Sequence, residues 1–191
     1  MTTGRLEAFT DAVIAIVITI LVLELRVPHE PELAALSRDV PVFLTYVLSF
    51  VYLGIYWNNH HHMMVLTERV NGKILWANLH LLFWLSLVPF TTAWMGETDF
   101  AATPTAVYGV DLLLAAIAYF ILQTAIIAEE GSDSSLRAAL GRDLKGKISP
   151  LLYFAAIPLA FVSPWIALAV YVFVALMWLV PDRRIESAVS G

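Results

Sequence analysis

The chain has 191 residues, 60% hydrophobic and 14% charged, with a net charge of −5 and a mean hydropathy of +0.77. A soluble domain carries about 25% charge and 45–50% apolar residues, so this composition describes an integral membrane protein. The lack of cysteine excludes disulfides, thiolate metal sites and cysteine catalysis, and without a basic tract nucleic acid is not an expected partner.

A spanning helix takes roughly 20 mostly apolar residues. Six segments qualify: residues 6–25, 42–63, 74–95, 103–128, 148–162 and 164–180. The first carries Glu7 and Asp11 where a cleavable leader would be basic, so it is expected to remain a membrane helix. The fifth is short. Pro150, Pro158 and Pro164 predict breaks there, with Ser163-Pro164 a tight turn or a kink. Residues 129–147 read as a polar cytoplasmic connector, Pro181 ends the last helix, and 182–191 form a tail. With no internal repeat, 1–191 reads as one all-α membrane domain.

The loops set the orientation. With the N-terminus inside, nine of the 11 Lys and Arg fall on inner segments: Arg5, Arg69, Lys73, Arg137, Arg142, Lys145, Lys147, Arg183 and Arg184. Only Arg26 and Arg38 fall outside. This places both termini in the cytoplasm and requires an even number of spans. The acidic loop 96–99 then lies outside.

Few residues could carry chemistry. His60, His61 and His62 follow Asn58-Asn59, but consecutive helical residues point about 100° apart and cannot converge on one metal. Adding His80 makes only a two-ligand start, so no metal site is expected. Asn78 and His80 in the third span are costly in hydrocarbon unless bonded across helices. Interhelical packing is the plain reading, and a proton path or ligand site the other. Asp111, followed by Tyr119 and Gln123, reads as an interfacial carboxylate at the outer end of the fourth helix. There is no nucleophile elbow, zincin motif or phosphate loop, and Asp11 and Glu24 stand about 20 Å apart on one helix. No enzyme or cofactor is indicated.

Read by angle, the first helix has one coherent stripe. With Ile16 as reference, Ile20 falls at about +40°, Leu23 at about −20°, Ala12 at about −40° and Thr19 at about −60°. Lipid contact is the plainest account of such an aliphatic stripe. Asp11 falls about 140° away and is expected to face neighbouring helices, meeting Asn78 or a second-helix histidine.

Three ordered elements resemble the transmembrane protein 175 family, the lysosomal potassium channel and its bacterial relatives. Arg5-x-x-x-Phe9-Thr10-Asp11 is similar to that family's Arg-x-x-x-Phe-Ser-Asp signature. Tyr56-Trp57-x-x-His60-His61 resembles its Trp-x-x-His-His element. Trp76-x-Asn78-Leu79 with Leu87-Val88-Pro89-Phe90-x-Thr92 resembles its third helix. The second half of the chain resembles the family only in hydropathy. The resemblance implies six transmembrane helices per chain and a homotetrameric potassium-permeable cation channel in a bacterial inner membrane, with lipid around it and its pore lined by the first helix. It implies that Ile16 forms the narrowest ring, Ile20 and Leu23 further apolar rings, and Thr19 a hydroxyl near the constriction. Arg5, Phe9, Thr10, Asp11, Trp57, His60, His61, Trp76 and Asn78 would form a structural network. Thr10 stands where the family has Ser, and Ala15 leaves no hydroxyl just before Ile16.

An isoleucine ring can gate by dewetting and would favour potassium over sodium only moderately, because it offers no oxygens to replace hydration. Glu24, Glu30, Glu32, Glu97 and Asp99 either make the outer vestibule negative and concentrate cations or form an ordinary solvated loop surface. The alternative is a proton-conducting pathway or cation-coupled transporter relayed through His60, His61, His80 and Asp11, although the repeats and broken helices usual for transporters are missing. A scaffold or enzyme subunit, which would carry no flux, is the third reading.

Overall fold

The computed structural model describes residues 2–25, 27–28, 31–32, 36–37, 39–141 and 143–179. Arg26, Glu30, Arg38, Arg142, Pro181, Arg183, Arg184 and the expected tail lie outside the described residues. The helices are α1 (Thr3–Leu23), α2 (Val40–Val65), α3 (Gly72–Glu97), α4 (Ala102–Glu130), α5 (Ser135–Leu140), α6 (Leu144–Leu159) and α7 (Pro164–Leu179). In hydrocarbon every backbone amide needs an internal partner, which the α-helix supplies along its own axis. Helices α1 to α4, with 21, 26, 26 and 29 residues, are long and apolar enough to cross a membrane. Helix α7 is apolar but shorter.

Pro150 and Pro158 act differently from the expectation, whereas the turn expected at Ser163-Pro164 is present. Pro150 and Pro158 lie inside α6. The break falls after Leu159, where Ser163 N–H bonds back to the Leu159 carbonyl (2.9 Å), and Pro164 then opens α7. Proline suits that first position because its missing N–H has no helical partner there anyway. The connector also holds more structure than its polarity suggested. After a 3₁₀ turn at Gly131–Asp133, α5 is capped by Ser134, whose Oγ accepts from Arg137 N–H (3.2 Å). Leu136 and Ala139 tuck its apolar side into the core. The α2–α3 turn is pinned to this region. Asn71 caps α3 by accepting from Ile74 N–H (3.0 Å) and its amide bonds Glu129, while Glu68 N–H bonds Glu130 (2.9 Å).

Packing forms two cores. One joins α1, α2, α3, α4 and α5 through residues such as Ile14, Leu53, Leu81, Leu122 and Leu136. The other joins α2, α4, α6 and α7 around Tyr52, Tyr108, Tyr153 and Tyr171. Helices α2 and α4 belong to both. Helix α1 packs on α2 and α3. Small residues on α4 let α7 approach closely, as in membrane helix pairs generally. The Tyr171 hydroxyl lies over Gly109 and donates to the Thr105 carbonyl (3.2 Å), so a Cβ at Gly109 would collide with it.

Gly109→Val is therefore expected to cost about 1–3 kcal/mol through overpacking, read as a lower unfolding midpoint in detergent. Gly54 has nothing within 4 Å of an added Cβ, so Gly54→Ala should gain about 0.5–1 kcal/mol. Equal midpoints for the two variants would contradict this account of α4–α7 packing.

Candidate functional site

Helix α1 has two faces. Leu6, Thr10, Ile14, Val17 and Leu21 are buried, at the three- and four-residue spacing that lines one side of a helix. The other side is uncovered. Ile16 is 58% and Leu23 78% exposed, and Ile20, Phe9, Ala12 and Thr19 are exposed with them. The stripe expected from the angles is thus the face that the rest of the chain leaves open. The Thr19 hydroxyl donates to the Ile16 carbonyl (2.8 Å). Its proton is committed to the backbone, and oxygen lone pairs are what it presents outward.

The buried face is held by a directed chain of hydrogen bonds. Thr10 Oγ1–H donates to the Leu6 carbonyl (3.0 Å), Asn78 Nδ2 donates to Thr10 Oγ1 (2.8 Å), and His60 Nε2 bonds Asn78 Oδ1 (2.9 Å). All three side chains are buried. Because Thr10 spends its proton on Leu6, it must accept from Asn78. Asn78 Oδ1 must then accept, so His60 carries its proton on Nε2. His60 Nδ1 is left buried with no partner among the described residues.

Two outer rungs reinforce this tie between α1 and α2. Trp57 Nε1 donates to Asp11 Oδ1 (3.0 Å), and His61 Nδ1 meets Glu7 Oε1 at 2.7 Å. Each pair is one helical turn from the other, and the rings of Trp57 and His61 stack at 6.5 Å. The expected partner of Asp11 is corrected here: the carboxylate takes the Trp57 indole, while Asn78 is taken by Thr10. The reason is depth. Thr10 lies on the buried side, whereas Asp11, one residue on, is rotated by about 100° to the edge of the α1–α2 contact.

Other expected members stand apart. Phe9 is exposed on the stripe's face, Trp76 is 75% exposed on α3, and Arg5 is exposed; none of them joins these bonds. His80 accepts from Trp84 Nε1 within α3 (2.9 Å). Among the described residues no group of three or more His, Cys, Asp or Glu gathers as a metal set.

Sequence reasoning missed Asp111. It is 4% exposed, well inside α4 rather than at its outer interface. Asp111 Oδ2 contacts Thr91 Oγ1 at 3.1 Å and Oδ1 has no partner among the described residues. The signal was the position of Pro104. Proline belongs in a helix's first turn, which puts Asp111 about two turns deep.

Comparison with known proteins decides the family. The sequence profile described as "Endosomal/lysosomal potassium channel TMEM175" matches residues 5–89, which hold α1, α2 and most of α3. A potassium channel of Chryseobacterium sp. (strain P1-3) is 53% identical over 190 residues, spanning 100% of this chain and 99% of that protein. The chain belongs to the TMEM175 family. A potassium channel of Chamaesiphon minutus is 32% identical over 182 residues, 88% of this chain and 89% of its own length. The crystal structure of a TMEM175 homolog from Chamaesiphon minutus, described as a lysosomal potassium-selective channel, matches with a TM-score of 0.82. That match has 30% identity and covers 93% of this chain and 96% of that one. The bovine endosomal/lysosomal proton channel TMEM175 is 27% identical over 153 residues, 72% of this chain and 32% of that protein. Kinship with TMEM175 proteins therefore runs the length of the chain, beyond the first-half motifs.

Asn78 uses a donor and an acceptor at once, so Asn78→Leu should strand Thr10 and His60 and cost about 1–3 kcal/mol. Trp57→Phe, which removes only an edge bond, should cost roughly 0.6 kcal/mol. Unfolding midpoints in detergent compare the two, and a smaller loss for Asn78→Leu would sink the ranking.

Proposed function

We propose that four copies of this chain surround a common axis to form a potassium-permeable cation channel whose pore is lined by α1. One observation carries the reading: α1 is packed and bonded on one face while Ile16, Thr19, Ile20 and Leu23 stand uncovered on the other. The full-length relatives named as potassium channels support the permeant ion. In this reading the protein is a multi-pass protein of the bacterial inner membrane with cytoplasmic termini, and α6 and α7 are its fifth and sixth spans. Each has 16 residues, roughly 24 Å at 1.5 Å per residue, slightly short of a hydrocarbon core of about 30 Å.

The chemistry of the proposed pore follows from its lining. Four Ile16 side chains around an axis form a ring that water leaves when it narrows, and an ion crossing it must shed hydration without replacement. That barrier is the gate. When the ring widens, potassium, which dehydrates more cheaply than sodium, passes preferentially and by a moderate margin. Thr19 sits one turn outward with lone pairs free, so it can accept from the water shell or meet the cation itself. Glu24, Glu32 and Asp99 are exposed at the outer end and add negative potential that concentrates cations.

A coupled transporter relayed by histidines has less support. His60 is fixed in one tautomer by Asn78, His80 is bonded within its own helix and Asp11 holds Trp57.

The test is flux in liposomes under a potassium/sodium gradient. Ile16→Asn should raise potassium flux several-fold and lower selectivity; flux and selectivity like those of the native chain would remove the constriction from this position. Because the chain has no cysteine, Leu23→Cys gives a clean second reading. An aqueous thiol reagent applied outside should block its current and leave the native current unchanged. Asp11→Ala should lower the tetramer yield, and a normal yield would count against its tie to Trp57.

A further inference from the structure

A cavity of about 50 Å³ lies inside the subunit between α2, α4, α6 and α7, away from α1. By the space one water needs, it holds roughly three to five water-sized groups. In the orientation proposed above it faces the cytoplasmic half of the bundle, since Asn59, Gln123, Gly146 and Trp178 line it and sit at that end of their helices.

The hydrogen bonds within its wall leave several acceptors open. Trp178 Nε1 donates to Ser149 Oγ (2.8 Å), which itself donates to the Lys145 carbonyl (2.8 Å). The Tyr119 hydroxyl donates to the Asn59 carbonyl (3.1 Å), and Asn59 Nδ2 donates to the Ile55 carbonyl (2.8 Å). Gln123 Nε2 donates to Asp143 Oδ2 (3.2 Å). Tyr153 donates to the Tyr52 hydroxyl (3.2 Å), which donates to the Tyr171 carbonyl (2.6 Å). The lining hydroxyls of Tyr52, Ser149, Tyr119 and Tyr153, the Trp178 indole and one N–H of each side-chain amide are therefore committed. The open acceptors are Gln123 Oε1, Asn59 Oδ1 and the lone pairs of Ser149 and Tyr119. The open donors are the second N–H of the Asn59 and Gln123 amides and the Tyr56 hydroxyl.

Two further features favour a cation with N–H groups and a small carbon body. The wall includes the rings of Tyr52, Tyr56, Tyr119, Tyr153 and Trp178, and aromatic faces attract ammonium-type cations. The Asp143 carboxylate lies directly behind the wall, bonded to two lining residues, Gln123 and the Gly146 N–H (3.0 Å). By capping α6 it also offsets the positive end of that helix.

We infer that this cavity is a binding site for a small primary alkylammonium ion, with its N–H groups on the free acceptors and its chain against the rings. The site is complete within one subunit and independent of the pore face. A bare potassium ion has no carbon body to pack, and a neutral alcohol cannot use the cation attraction of the rings or the charge behind the wall.

The test uses the full native chain in lipid nanodiscs with n-propylammonium as the probe. Saturation-transfer NMR should detect its binding, with 1-propanol giving at most a fifth of the signal. Ala116 lines the cavity, and Ala116→Leu should cut the n-propylammonium signal at least fivefold. No signal, an equal signal from 1-propanol, or full signal in Ala116→Leu would overturn the site. If Ala116→Leu does not fold, Ala116→Cys serves in this cysteine-free chain. n-Propylammonium should slow its modification by a small thiol reagent at least threefold, and equimolar potassium should not. An unchanged rate, or equal slowing by potassium, overturns the site as well.

Discussion

The chain from the Leu6 carbonyl through Thr10 and Asn78 to His60 ties three helices at one buried point. In hydrocarbon no water can stand in for a missing partner, so these groups must find each other or carry the cost of being alone. Asn78 is the pivot because its amide donates to Thr10 on α1 and bonds His60 on α2 through its oxygen. Once Thr10 is turned toward Asn78, the rotation of α1 is settled. Ile14, Val17 and Leu21 face inward, and Ile16, Ile20 and Leu23 are left on the outside. A rotation by one residue would bury Asp11 and lose the stripe.

The rest of the chain packs on a different principle. Around α4, tyrosines bring large apolar rings and a hydroxyl that must reach a partner when buried. Tyr52, Tyr108, Tyr153 and Tyr171 do so across three other helices. Two of these rings, Tyr52 and Tyr153, also line the cavity beside Tyr56. The TMEM175 fold thus separates a tightly bonded unit that orients α1 from an aromatic unit that carries no residue of the proposed pore.

Much of this was legible from hydropathy and angle. The four long helices lie within two or three residues of their expected ends, because a spanning helix must be apolar for its whole length. The open stripe of α1 was legible because helical rotation is fixed per residue. What failed were questions of partner. Asp11 was expected to meet Asn78 or a second-helix histidine and meets Trp57, since angle says which way a side chain points but not how deep its neighbour's sits. Phe9 was grouped with the bonded residues by motif, yet its angle puts it beside Ile16. Asp111 was misread because a carboxylate in an apolar run suggests an interface, although a helix starting at residue 103 already carries it about two turns inside, against Thr91. Helix α5 was hidden by polar neighbours, its apolar side being only Leu136, Ala139 and Leu140.

All the side-chain bonds from α1 to other elements, among the described residues, come from Thr3, Glu7, Thr10 and Asp11. Beyond Asp11 only apolar contact holds it. Helix α1 is therefore a cantilever, clamped at one end and resting on a smooth surface along the other. Leu23 lies about 20 Å from Thr10 along the axis and Ile16 about 9 Å. A tilt of about 10° at the clamp would carry Leu23 through roughly 3.4 Å and Ile16 through roughly 1.6 Å. A movement of a few ångströms at the far end thus goes with a smaller one at Ile16, and no side-chain bond has to break for either.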